Sequence, residues 1–487
     1  MMNDVNRRTK IVVTLGPSLD DPVMLERVIL AGACVFRANF SHGAIKLHEE
    51  RIEKVRSLAD KHGIIVAILV DLQGPKIRIG RFKDNKVHLQ NGDSFLLDTQ
   101  LDENAGDQHQ VALSYQALPQ DVKVNDTLLL DDGRIVFHVT KVEATRIHCV
   151  VEVGGELSNN KGINRLGGGL SAAALTDRDR EHIKEAVRLN ADYIAVSFPR
   201  HADDIKEARI LMKAAGGHAG IIAKIERAEA LQHIESITQV SDALMVARGD
   251  LGVEIGDADL PAAQKKIIKI GNHFNKPVIT ATQMLETMIK NTIPTRAEVS
   301  DVANAVLDGT DAVMLSGETA VGDYPDKAVA AMHRICLSAE KHRHEVSMHH
   351  VKHNMVDDVD EAIALATMFT ANHLEIKAII ALTESGTTPL LMSRINSHIP
   401  IYGLSRHATT LRRMTLYRGV YPILFDATPI DRRAINQRAT EELMKHNIVN
   451  LGDLLLITKG DLIGVHGRTN SMKIVRVGDF PNINHSS

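Results

Sequence analysis

The sequence contains no tryptophan and only three cysteines among its 487 residues. Cys34, Cys149 and Cys336 are far apart and match no metal-binding spacing. We therefore expect free thiols in a reducing compartment, which places the protein in the cytoplasm. The 24 histidines are scattered and form no zinc-binding pattern.

Long apolar runs and a strong net charge are also missing. No run approaches the roughly 20 apolar residues that a membrane-spanning helix needs, and the start lacks the apolar core of a secretory signal. The formal net charge of -4 gives no electrostatic reason to expect nucleic acid or an anionic membrane as a partner. The length predicts several domains of an ordinary globular protein.

A repeated pattern of strand and helix dominates the chain outside one interruption. The predicted strands are Lys10–Leu15, Ala33–Phe40, Ile64–Asp71, Tyr193–Ser197, Gly220–Lys224, Ala243–Val246, Pro277–Thr280 and Ala312–Leu315. Helices are predicted between them, beginning with Asp21–Ala31 and 45–62. Eight strands separated by helices are what an α/β protein with a closed parallel barrel needs. An open doubly wound sheet is the alternative, because the strand count does not exclude it.

The interruption runs from about Gly74 to Gly169. Its segments are short, alternating and separated by turns, which predicts a small all-β insert with strands Lys86–Gln90, Ser94–Asp98, Thr127–Leu130, Ile135–Lys141 and Ile147–Val153. The glycines at 167–169 suit a hinge or an ordinary loop equally well.

A second βα alternation begins near Val359, after a polar stretch (His342–Asn354) that we interpret as surface or linker. Its predicted strands are Ala378–Thr383, Ile401–Ser405, Val420–Phe425, Leu454–Thr458 and Ile474–Val477. This pattern predicts a separate parallel α/β domain.

Polar residues gather at the carboxyl ends of the predicted barrel strands. They are Arg37, Asn39, Ser41, Asp71, Ser197, Lys224, Glu226, Arg248, Asp250, Thr282, Ser316 and Glu318. Enzymes with this kind of barrel build their sites at that face, so we expect the active site there.

Lys224 and Glu226 are two residues apart on one strand and must point to the same side. They form either a simple salt bridge or the middle of the site. Glu226 and Asp250 together offer hard oxygen ligands suited to Mg²⁺ or Mn²⁺. The turn Arg248–Gly252 offers backbone amides for a substrate carboxylate, or it is an ordinary glycine turn.

The stretch Thr383-Glu384-Ser385-Gly386-Thr387-Thr388 lies between a predicted strand and a predicted helix. Hydroxyls and amides at a helix start suit a phosphate, although Ser385 or Thr387 serving as an ordinary helix cap is the alternative. A second polar loop, Gly460–Asn470 with His466, Gly467, Arg468 and Thr469, is a candidate to complete such an anion site.

Several motifs resemble, nearly word for word, those of the pyruvate kinase family. They are Arg37–Gly43, Asp71–Pro75, Ala223–Glu226, Met245–Glu254, Thr280–Met284, Met284–Glu286, Pro294–Glu298 and Met314–Ala320. The resemblance covers essentially the whole chain. It implies a (β/α)8 TIM barrel (1–73 and 170–345), an inserted β-barrel lid domain (74–169) and a C-terminal α/β regulatory domain (346–487), assembled as a homotetramer.

The resemblance also implies a reaction and a role for each matching residue. The phosphoryl group of phosphoenolpyruvate would pass to ADP, giving pyruvate and ATP. Glu226 and Asp250 would bind the divalent metal, Lys224 the transferring phosphoryl group and the enolate, and Arg37 the phosphate. The remaining implied contacts are Gly249, Asp250 and Thr282 for the carboxylate end, and Arg78, Lys161, Asn39 and His42 for the nucleotide. A phosphorylated effector would bind at Thr383, Ser385, Gly386, Thr387 and Thr388.

The residue types agree with this chemistry, because phosphoryl transfer needs positioning and neutralisation of charge. Thr282, with Ser316 and a water, is our candidate relay for the proton that the enolate needs. The insert would close over the nucleotide and exclude water.

One departure from the family's commonest pattern concerns potassium. Many members hold K⁺ with the counterparts of Asn39, Ser41, Asp71 and the Leu72 carbonyl, and there the aspartate is followed by Thr-Lys-Gly-Pro-Glu. Here it is followed by Leu72-Gln73-Gly74-Pro75-Lys76. A lysine ammonium carries the same charge as K⁺, so we expect Lys76 to replace it, unless Lys76 is merely solvated.

Two other functions remain open on the residues alone. A metal-dependent aldolase uses a similar barrel, a carboxylate pair and an enolate, but needs no nucleotide. A catalytically inactive metabolite sensor would use only the loop at Thr383.

Overall fold

The chain opens with two strand–helix units and a third strand. In this computed structural model, which describes residues 7–342, 358–461 and 469–480, they are β1 (Lys10–Thr14), α1 (Pro22–Leu30), β2 (Val35–Asn39), α2 (Ile45–Lys61) and β3 (Ala67–Asp71), with a 3₁₀ turn at Pro17–Leu19. Strand β1 is buried along its whole length, as expected for a parallel strand covered on both faces. The predicted third strand began three residues too early.

The insert follows β3. Its strands are β4 (Lys86–Leu89), β5 (Ser94–Asp98), β6 (Gln110–Ala112), β7 (Thr127–Leu130), β8 (Ile135–Val142), β9 (Arg146–Val153), β10 (Gly155–Ser158) and β11 (Ile163–Arg165), with one helical turn, α3 (Leu118–Asp121). They form a six-stranded sheet ordered β11-β7-β8-β9-β5-β6 and a two-stranded ribbon of β10 and β4. Strands β6, β10 and β11 were not predicted, since β6 and β11 have only three residues and β10 begins at a glycine.

The barrel resumes with alternating helices and strands. They are α4 (Asp177–Arg188), β12 (Tyr193–Val196), α5 (Ala202–Ala214), β13 (Gly220–Ile225), α6 (Ala228–Gln232), α7 (Ile234–Val240), β14 (Ala243–Ala247), α8 (Arg248–Ile255), α9 (Leu260–His273), β15 (Val278–Ala281), a 3₁₀ turn at Glu286–Ile289, α10 (Arg296–Asp308), β16 (Ala312–Leu315), α11 (Gly317–Ala320) and α12 (Pro325–His342).

The eight barrel strands close on themselves in the order β1-β16-β15-β14-β13-β12-β3-β2, with every pair parallel. Closure confirms the barrel and excludes the open doubly wound sheet. All eight carboxyl ends therefore meet at one face, which brings the predicted polar strand ends together.

The C-terminal domain contains α13 (Val359–His373), β17 (Ile376–Leu382), α14 (Thr387–Ser393), β18 (Ile401–Ser405), α15 (Ala408–Met414), β19 (Val420–Leu424), α16 (Ile435–Lys445), β20 (Leu454–Gly460) and β21 (Thr469–Arg476). The sheet order is β19-β18-β17-β20-β21. Strand β21 runs antiparallel to β20, so the domain is α/β as predicted but its sheet is not wholly parallel. The apolar pattern does not encode the direction in which a strand runs.

This domain packs against the amino-terminal end of the barrel, away from the site. One apolar cluster joins barrel residues such as Val12 and Ala195 to Met368 and Met414 of the C-terminal domain. Residues 343–357, which include nearly all of the predicted polar linker, lie outside the described part of the chain. No helix in the described ranges is both long and apolar enough to span a membrane.

Candidate active site

Asp71, the last residue of β3, lies at the centre of the charged groups at the carboxyl face. Arg37 on β2 contacts it through Nε (2.7 Å) and Nη2 (2.6 Å). Lys224 on β13 approaches the other carboxylate oxygen at 3.1 Å. Burial alone would raise the pKa of Asp71, but Lys224 and Arg37 outweigh it and hold that pKa below its ordinary value. The carboxylate is therefore ionised and orients two cations.

Lys224 and Glu226 point to the same side of the strand end, as their alternation predicts. Lys224 Nζ is 2.9 Å from Glu226 Oε1 and also donates to Ser197 Oγ at 2.7 Å. Burial would lower the pKa of Lys224, but Asp71 and Glu226 raise it well above its ordinary value, so the ammonium is retained. Lys224 and Glu226 therefore form a salt bridge and also lie in the middle of the clustered strand ends, so both interpretations of this pair hold.

Glu226 is 1% exposed. Burial raises its pKa to about 7, with Asp250 and Asp71 adding to the shift and Lys224 opposing it. Its second oxygen accepts a hydrogen bond from the Phe198 amide at 2.8 Å. A buried carboxylate near another carboxylate is poorly stabilised as an anion, and a bound divalent cation would remove that penalty.

Glu226 and Asp250 fit a magnesium-type ion that takes one or two carboxylates and completes its shell with water and substrate oxygens. In the described ranges no cluster of three or more histidine, cysteine, aspartate or glutamate side chains offers a complete protein-only site. The ammonium of Lys76 approaches Asp250 Oδ1 at 3.6 Å. The two carboxylates therefore supply oxygen donors suited to a divalent metal. Lys224 lies beside Glu226 and Lys76 beside Asp250.

The stretch Arg248–Gly252, predicted as a turn, is the start of helix α8, and side-chain bonds join it to the residues after β15. Thr282 Oγ1 accepts a hydrogen bond from the Gly249 amide at 2.8 Å. Arg248 donates to the Thr282 and Gln283 carbonyls at 2.7 and 3.0 Å and pairs with Asp301 at 2.7 Å. Thr282 has a φ of +69°, a strained value for a β-branched residue. Arg248 thus stabilises the backbone that presents Thr282.

Ser316 and Glu318 follow β16 and differ in their environment. Ser316 Oγ is buried and finds no hydrogen-bond partner within the described residues. Glu318 accepts hydrogen bonds from the Ser316 amide at 2.7 Å and the Leu285 amide at 3.0 Å. Glu318 therefore supports the turn, whereas the Ser316 hydroxyl is available for another group.

The predicted nucleotide residues of the insert carry local partners. Arg78 Nη1 donates to the Asn160 carbonyl at 2.8 Å, and Lys161 Nζ is 2.6 Å from Asp131 Oδ1. Burial lowers the pKa of His42, and Arg78, Arg37 and Lys76 lower it further, so these three cations act on one region.

Ser197 contacts two of the residues predicted to line a monovalent-cation pocket, Leu72 and Asp71, while Asn39 and Ser41 bond each other. The Ser197 hydroxyl donates to the Leu72 carbonyl at 2.7 Å, and Asn39 Oδ1 accepts from the Ser41 amide at 3.2 Å. The cations on Asp71 are Arg37 and Lys224. Lys76 instead pairs with Asp250, a partner that the sequence analysis did not foresee.

The predicted effector loop forms a compact hydroxyl-lined turn before α14. Thr383 Oγ1 accepts from the Gly386 amide at 2.9 Å, and the hydroxyls of Ser385 and Thr387 are 2.8 Å apart. Thr388 Oγ1 is 2.7 Å from the hydroxyl of Thr469. Thr469 thus contacts this loop, whereas His466, Gly467 and Arg468 lie outside the described residues.

Comparison with known proteins agrees with this geometry. Residues 6–329 match the family described as "Pyruvate kinase, barrel domain", and residues 361–475 match "Pyruvate kinase, alpha/beta domain". The chain belongs to the pyruvate kinase family. It is 52% identical to "Pyruvate kinase" of Buchnera aphidicola subsp. Schizaphis graminum (strain Sg) over 482 residues, which cover 98% of this chain and all of the relative.

Two further relatives match over nearly their full length. "Pyruvate kinase II" of Salmonella typhimurium is 52% identical over 97% of this chain and 99% of its own, and "Pyruvate kinase" of Thermotoga maritima is 40% identical over 97% and 100%. A member of the pyruvate kinase family is a phosphotransferase, which decides against the aldolase and the inactive sensor.

Some residues that hold this pyruvate kinase site together were missed from the sequence. Thr14 Oγ1 accepts a hydrogen bond from Arg37 Nη1 at 3.1 Å, and Phe198 (φ +55°) presents its amide to Glu226. Ser197 was recognised as a polar strand end but not as the partner of Lys224. A position at the end of a neighbouring barrel strand was the only signal available for Thr14 and Phe198.

Proposed function

We propose that this chain transfers the phosphoryl group of phosphoenolpyruvate to ADP, giving pyruvate and ATP as a glycolytic enzyme. The observation that carries the proposal is the buried cluster in which Arg37 and Lys224 share Asp71 beside Glu226. Two cations fixed by one carboxylate are preorganised for the equatorial oxygens of a phosphoryl group. Family membership supplies the reaction for which that arrangement is suited.

Each residue has a role that its contacts support. Arg37 holds the phosphate, and Lys224 stabilises charge on the transferring group and then on the enolate oxygen. Glu226 and Asp250 hold Mg²⁺ or Mn²⁺, which when bound neutralises charge on substrate oxygens. Gly249, Asp250 and Thr282 orient the carboxylate end of phosphoenolpyruvate, supported by the bond between the Gly249 amide and Thr282.

The enolate must then take a proton at carbon. We assign the relay to Thr282, with Ser316 and a water, because the Ser316 hydroxyl is buried and has no partner within the described ranges. Arg78 and Lys161 of the lid, with Asn39 and His42 of the barrel, would bind the nucleotide. Lid closure would exclude water, which competes with ADP as phosphoryl acceptor.

A coupled assay tests this function. Purified protein with phosphoenolpyruvate, ADP and Mg²⁺ should form pyruvate in proportion to ATP, and removal of Mg²⁺ with a chelator should abolish turnover. Mn²⁺ should restore it. Pyruvate release that did not require ADP would contradict the assignment.

We also propose that K⁺ is not required. The support is the charge of Lys76, whose ammonium is within 3.6 Å of Asp250 and so belongs to the site. This position differs from the pocket of Asn39, Ser41, Asp71 and Leu72 that we predicted, so Lys76 would act on the site's total charge rather than as a direct substitute at Asp71.

Activity in Na⁺ or tetramethylammonium buffer should therefore equal that in K⁺. Lys76→Glu should acquire K⁺ dependence, whereas Lys76→Met, which removes the cation without adding a carboxylate, separates the two effects. Strong K⁺ stimulation of the unmodified enzyme at saturating substrates and Mg²⁺ would overturn this proposal.

A phosphorylated metabolite is proposed to activate the enzyme from Thr383, Ser385, Gly386, Thr387 and Thr388. The support is the cluster of hydroxyls in this loop, with Thr469 beside Thr388. Replacing Ser385 and Thr387 with Asp should remove activation by sugar phosphates and leave the basal rate unchanged. An activator that worked equally well on the double variant would bind elsewhere.

The assembly, the domain boundaries and the compartment are also proposals. We propose a homotetramer on the strength of the family resemblance, which light scattering of the purified protein would test. We propose the boundaries 1–73, 74–169, 170–345 and 346–487. The first and third ranges together supply the barrel strands, the second contains the sheets of the insert, and the fourth contains the C-terminal sheet. None of the three cysteines is in a disulfide, in keeping with the cytoplasm.

A further inference from the structure

The loop from Asn39 to Gly43 joins β2 to α2 and carries three of the predicted site residues, Asn39, Ser41 and His42. Backbone groups hold its first part, since the Phe40 amide donates to the Asp71 carbonyl at 2.9 Å and the His42 amide to the Asn39 carbonyl at 3.2 Å. Its far end is held by a side chain of α2. His48 Nε2 is 2.7 Å from the His42 carbonyl oxygen.

This contact fixes the tautomer of His48. A carbonyl oxygen only accepts, so Nε2 carries the hydrogen and Nδ1 is a bare acceptor in the neutral ring. Nδ1 is buried and has no partner within the described residues, and the whole residue is 2% exposed. Burial lowers the pKa of His48, and Arg51 adds to this although the bond to His42 opposes it. The neutral ring is thus favoured.

Leaving Nδ1 buried without a partner costs free energy, so packing alone does not explain a histidine at this position. A phenylalanine would fill the same space without it, because the His48 ring already packs against Phe40 with centroids 5.0 Å apart. What histidine adds is the donor to His42. Next to that carbonyl, Gly43 turns the chain with a φ of +82°, so a single hydrogen bond anchors the loop where it reverses direction.

We propose that His48 is a positioning residue for the nucleotide, acting through the His42 carbonyl to fix the loop that presents Asn39 and His42. It does not touch the substrate. The inference rests on the proposed function of this site, and goes beyond it by assigning a buried residue of α2 a task in ADP affinity. Arg37 precedes the loop and is held independently by Asp71 and Thr14, so phosphoenolpyruvate binding should not depend on His48.

Two substitutions separate the hydrogen bond from the packing. His48→Phe keeps an aromatic ring and loses the donor, and we expect KM for ADP to rise about tenfold, with KM for phosphoenolpyruvate within about twofold and Tm retained. His48→Gln places an amide N–H near the position of Nε2, so it should restore KM for ADP to within about twofold of the unmodified enzyme. His48→Leu serves as a second donor-free variant if the phenylalanine lowers Tm.

His182 on α4 supplies the matched control. Its ring also packs against Phe40, at 5.2 Å, so His182→Phe should leave KM for ADP unchanged. Hydrogen exchange should be faster for amides 40–44 in His48→Phe and unchanged in His182→Phe.

The proposal is overturned if His48→Phe leaves both KM for ADP and this exchange unchanged, or if both Michaelis constants rise together as Tm falls. If the proposed function itself is wrong, the unmodified protein shows no turnover with phosphoenolpyruvate and ADP. Hydrogen exchange of amides 40–44 then still tests whether His48 holds the loop.

Discussion

At the scale of single residues, the charge of Lys224 matters in two ways. Its ammonium is shared by Asp71, Glu226 and Ser197, and it is only 9% exposed. Removing it deletes a cation aimed at the reacting group and also leaves two buried carboxylates with less compensation. A test of its role must therefore separate catalysis from stability.

Lys224→Met should reduce kcat about a thousandfold, because loss of a preorganised cation costs on the order of 4 kcal/mol in the transition state. Mn²⁺ titration should show that metal binding survives. Lys224→Arg keeps the charge and so should keep Tm, yet its planar guanidinium should not restore kcat. A methionine variant within about threefold of the unmodified rate would make Lys224 a purely structural ion-pair residue.

Contacts between two residues of one strand were predictable from the sequence, whereas contacts between residues of different segments were not. The two-residue period put Lys224 beside Glu226. The same rule gives no information on the pair of Lys76 and Asp250, which joins the lid entrance to the start of α8. Nor could it assign Ser197, whose role depends on the order of β12 and β13 in the barrel.

At the scale of elements, the segment that leaves the lid is held by Arg227, which follows β13, and by helices α6 and α8. The three glycines 167–169 all have positive φ, from +75° to +92°. The Gly167 amide donates to the Glu254 carbonyl at 2.8 Å, the Gly169 amide to Glu229, and Arg227 donates to the Leu170 carbonyl. Arg227, Glu229 and the Glu254 carbonyl therefore tie the lid's exit to the barrel.

Alanine at two of these glycines should separate backbone strain from contact. Gly167 and Gly168 have similar φ values, but a Cβ at 167 meets nothing within 4 Å whereas one at 168 would be 2.6 Å from Glu229 Oε2. In both variants the strain of an alanine in the left-handed conformation should lower the free energy of unfolding by about 1 kcal/mol. Only Gly168→Ala should also displace Glu229 and change KM for ADP. Equal kinetics in the two variants would show that the contact with Glu229 does not affect the lid.

The buried Glu254 side chain, which accepts a hydrogen bond from the Ala228 amide at 2.9 Å, gives the stability of this region a pH dependence. Burial raises its pKa to about 7 from 4.5, so the folded protein holds this proton more tightly than the unfolded chain. The extra stability from this tighter proton binding is therefore fully present below pH 4.5 and is lost as the pH rises through 7. A shift of that size corresponds to on the order of 3 kcal/mol.

Glu254→Gln, which cannot ionise, should raise Tm at pH 8 and leave it nearly unchanged at pH 4.5. Thermal unfolding across this range measures the difference, with the exposed Glu235→Gln as control. A gain that did not vary with pH would mean that ionisation of Glu254 is not its cause.

Elements differed in how well the sequence predicted them. The barrel strands were found to within three residues at either end, because buried parallel strands are continuous apolar runs. Strands β6, β10 and β11 of the lid have three or four residues and show no period. The antiparallel direction of β21 also escaped, since chain direction leaves no mark on the apolar pattern.

At the scale of the whole molecule, two ion pairs fasten the C-terminal domain to the base of the barrel. Arg394, immediately after α14, pairs with the fully buried Asp311 that precedes β16. Arg412 on α15 pairs with Asp192, which precedes β12, at 2.7 Å. Both bonds reach the amino-terminal ends of barrel strands whose carboxyl ends carry site residues.

The first pair is joined to the predicted effector loop by the backbone of α14. Helix α14 begins at Thr387 within that loop and ends next to Arg394. A shift of α14 on phosphate binding would therefore act on Asp311 and, through β16, on Ser316. Helix α15 also contacts this loop, since Thr410 Oγ1 donates to the Glu384 carbonyl at 2.8 Å, but its backbone is not continuous with the loop. Arg412 therefore offers a comparison with an interdomain ion pair of the same chemistry that lies off the continuous backbone path.

Arg394→Met should lower Tm, because it leaves Asp311 buried with a weaker counter-charge at a cost of about 3–5 kcal/mol. It should also abolish activation by a sugar phosphate while the basal rate survives. Arg412→Met should destabilise as well but retain activation. The ratio of rates with and without effector, measured with Tm for both variants, decides the matter. If both variants kept activation, coupling would not pass through Asp311. If both lost it, the contact of α15 with the loop would carry coupling as well, or any loosening of the domain contact would suffice.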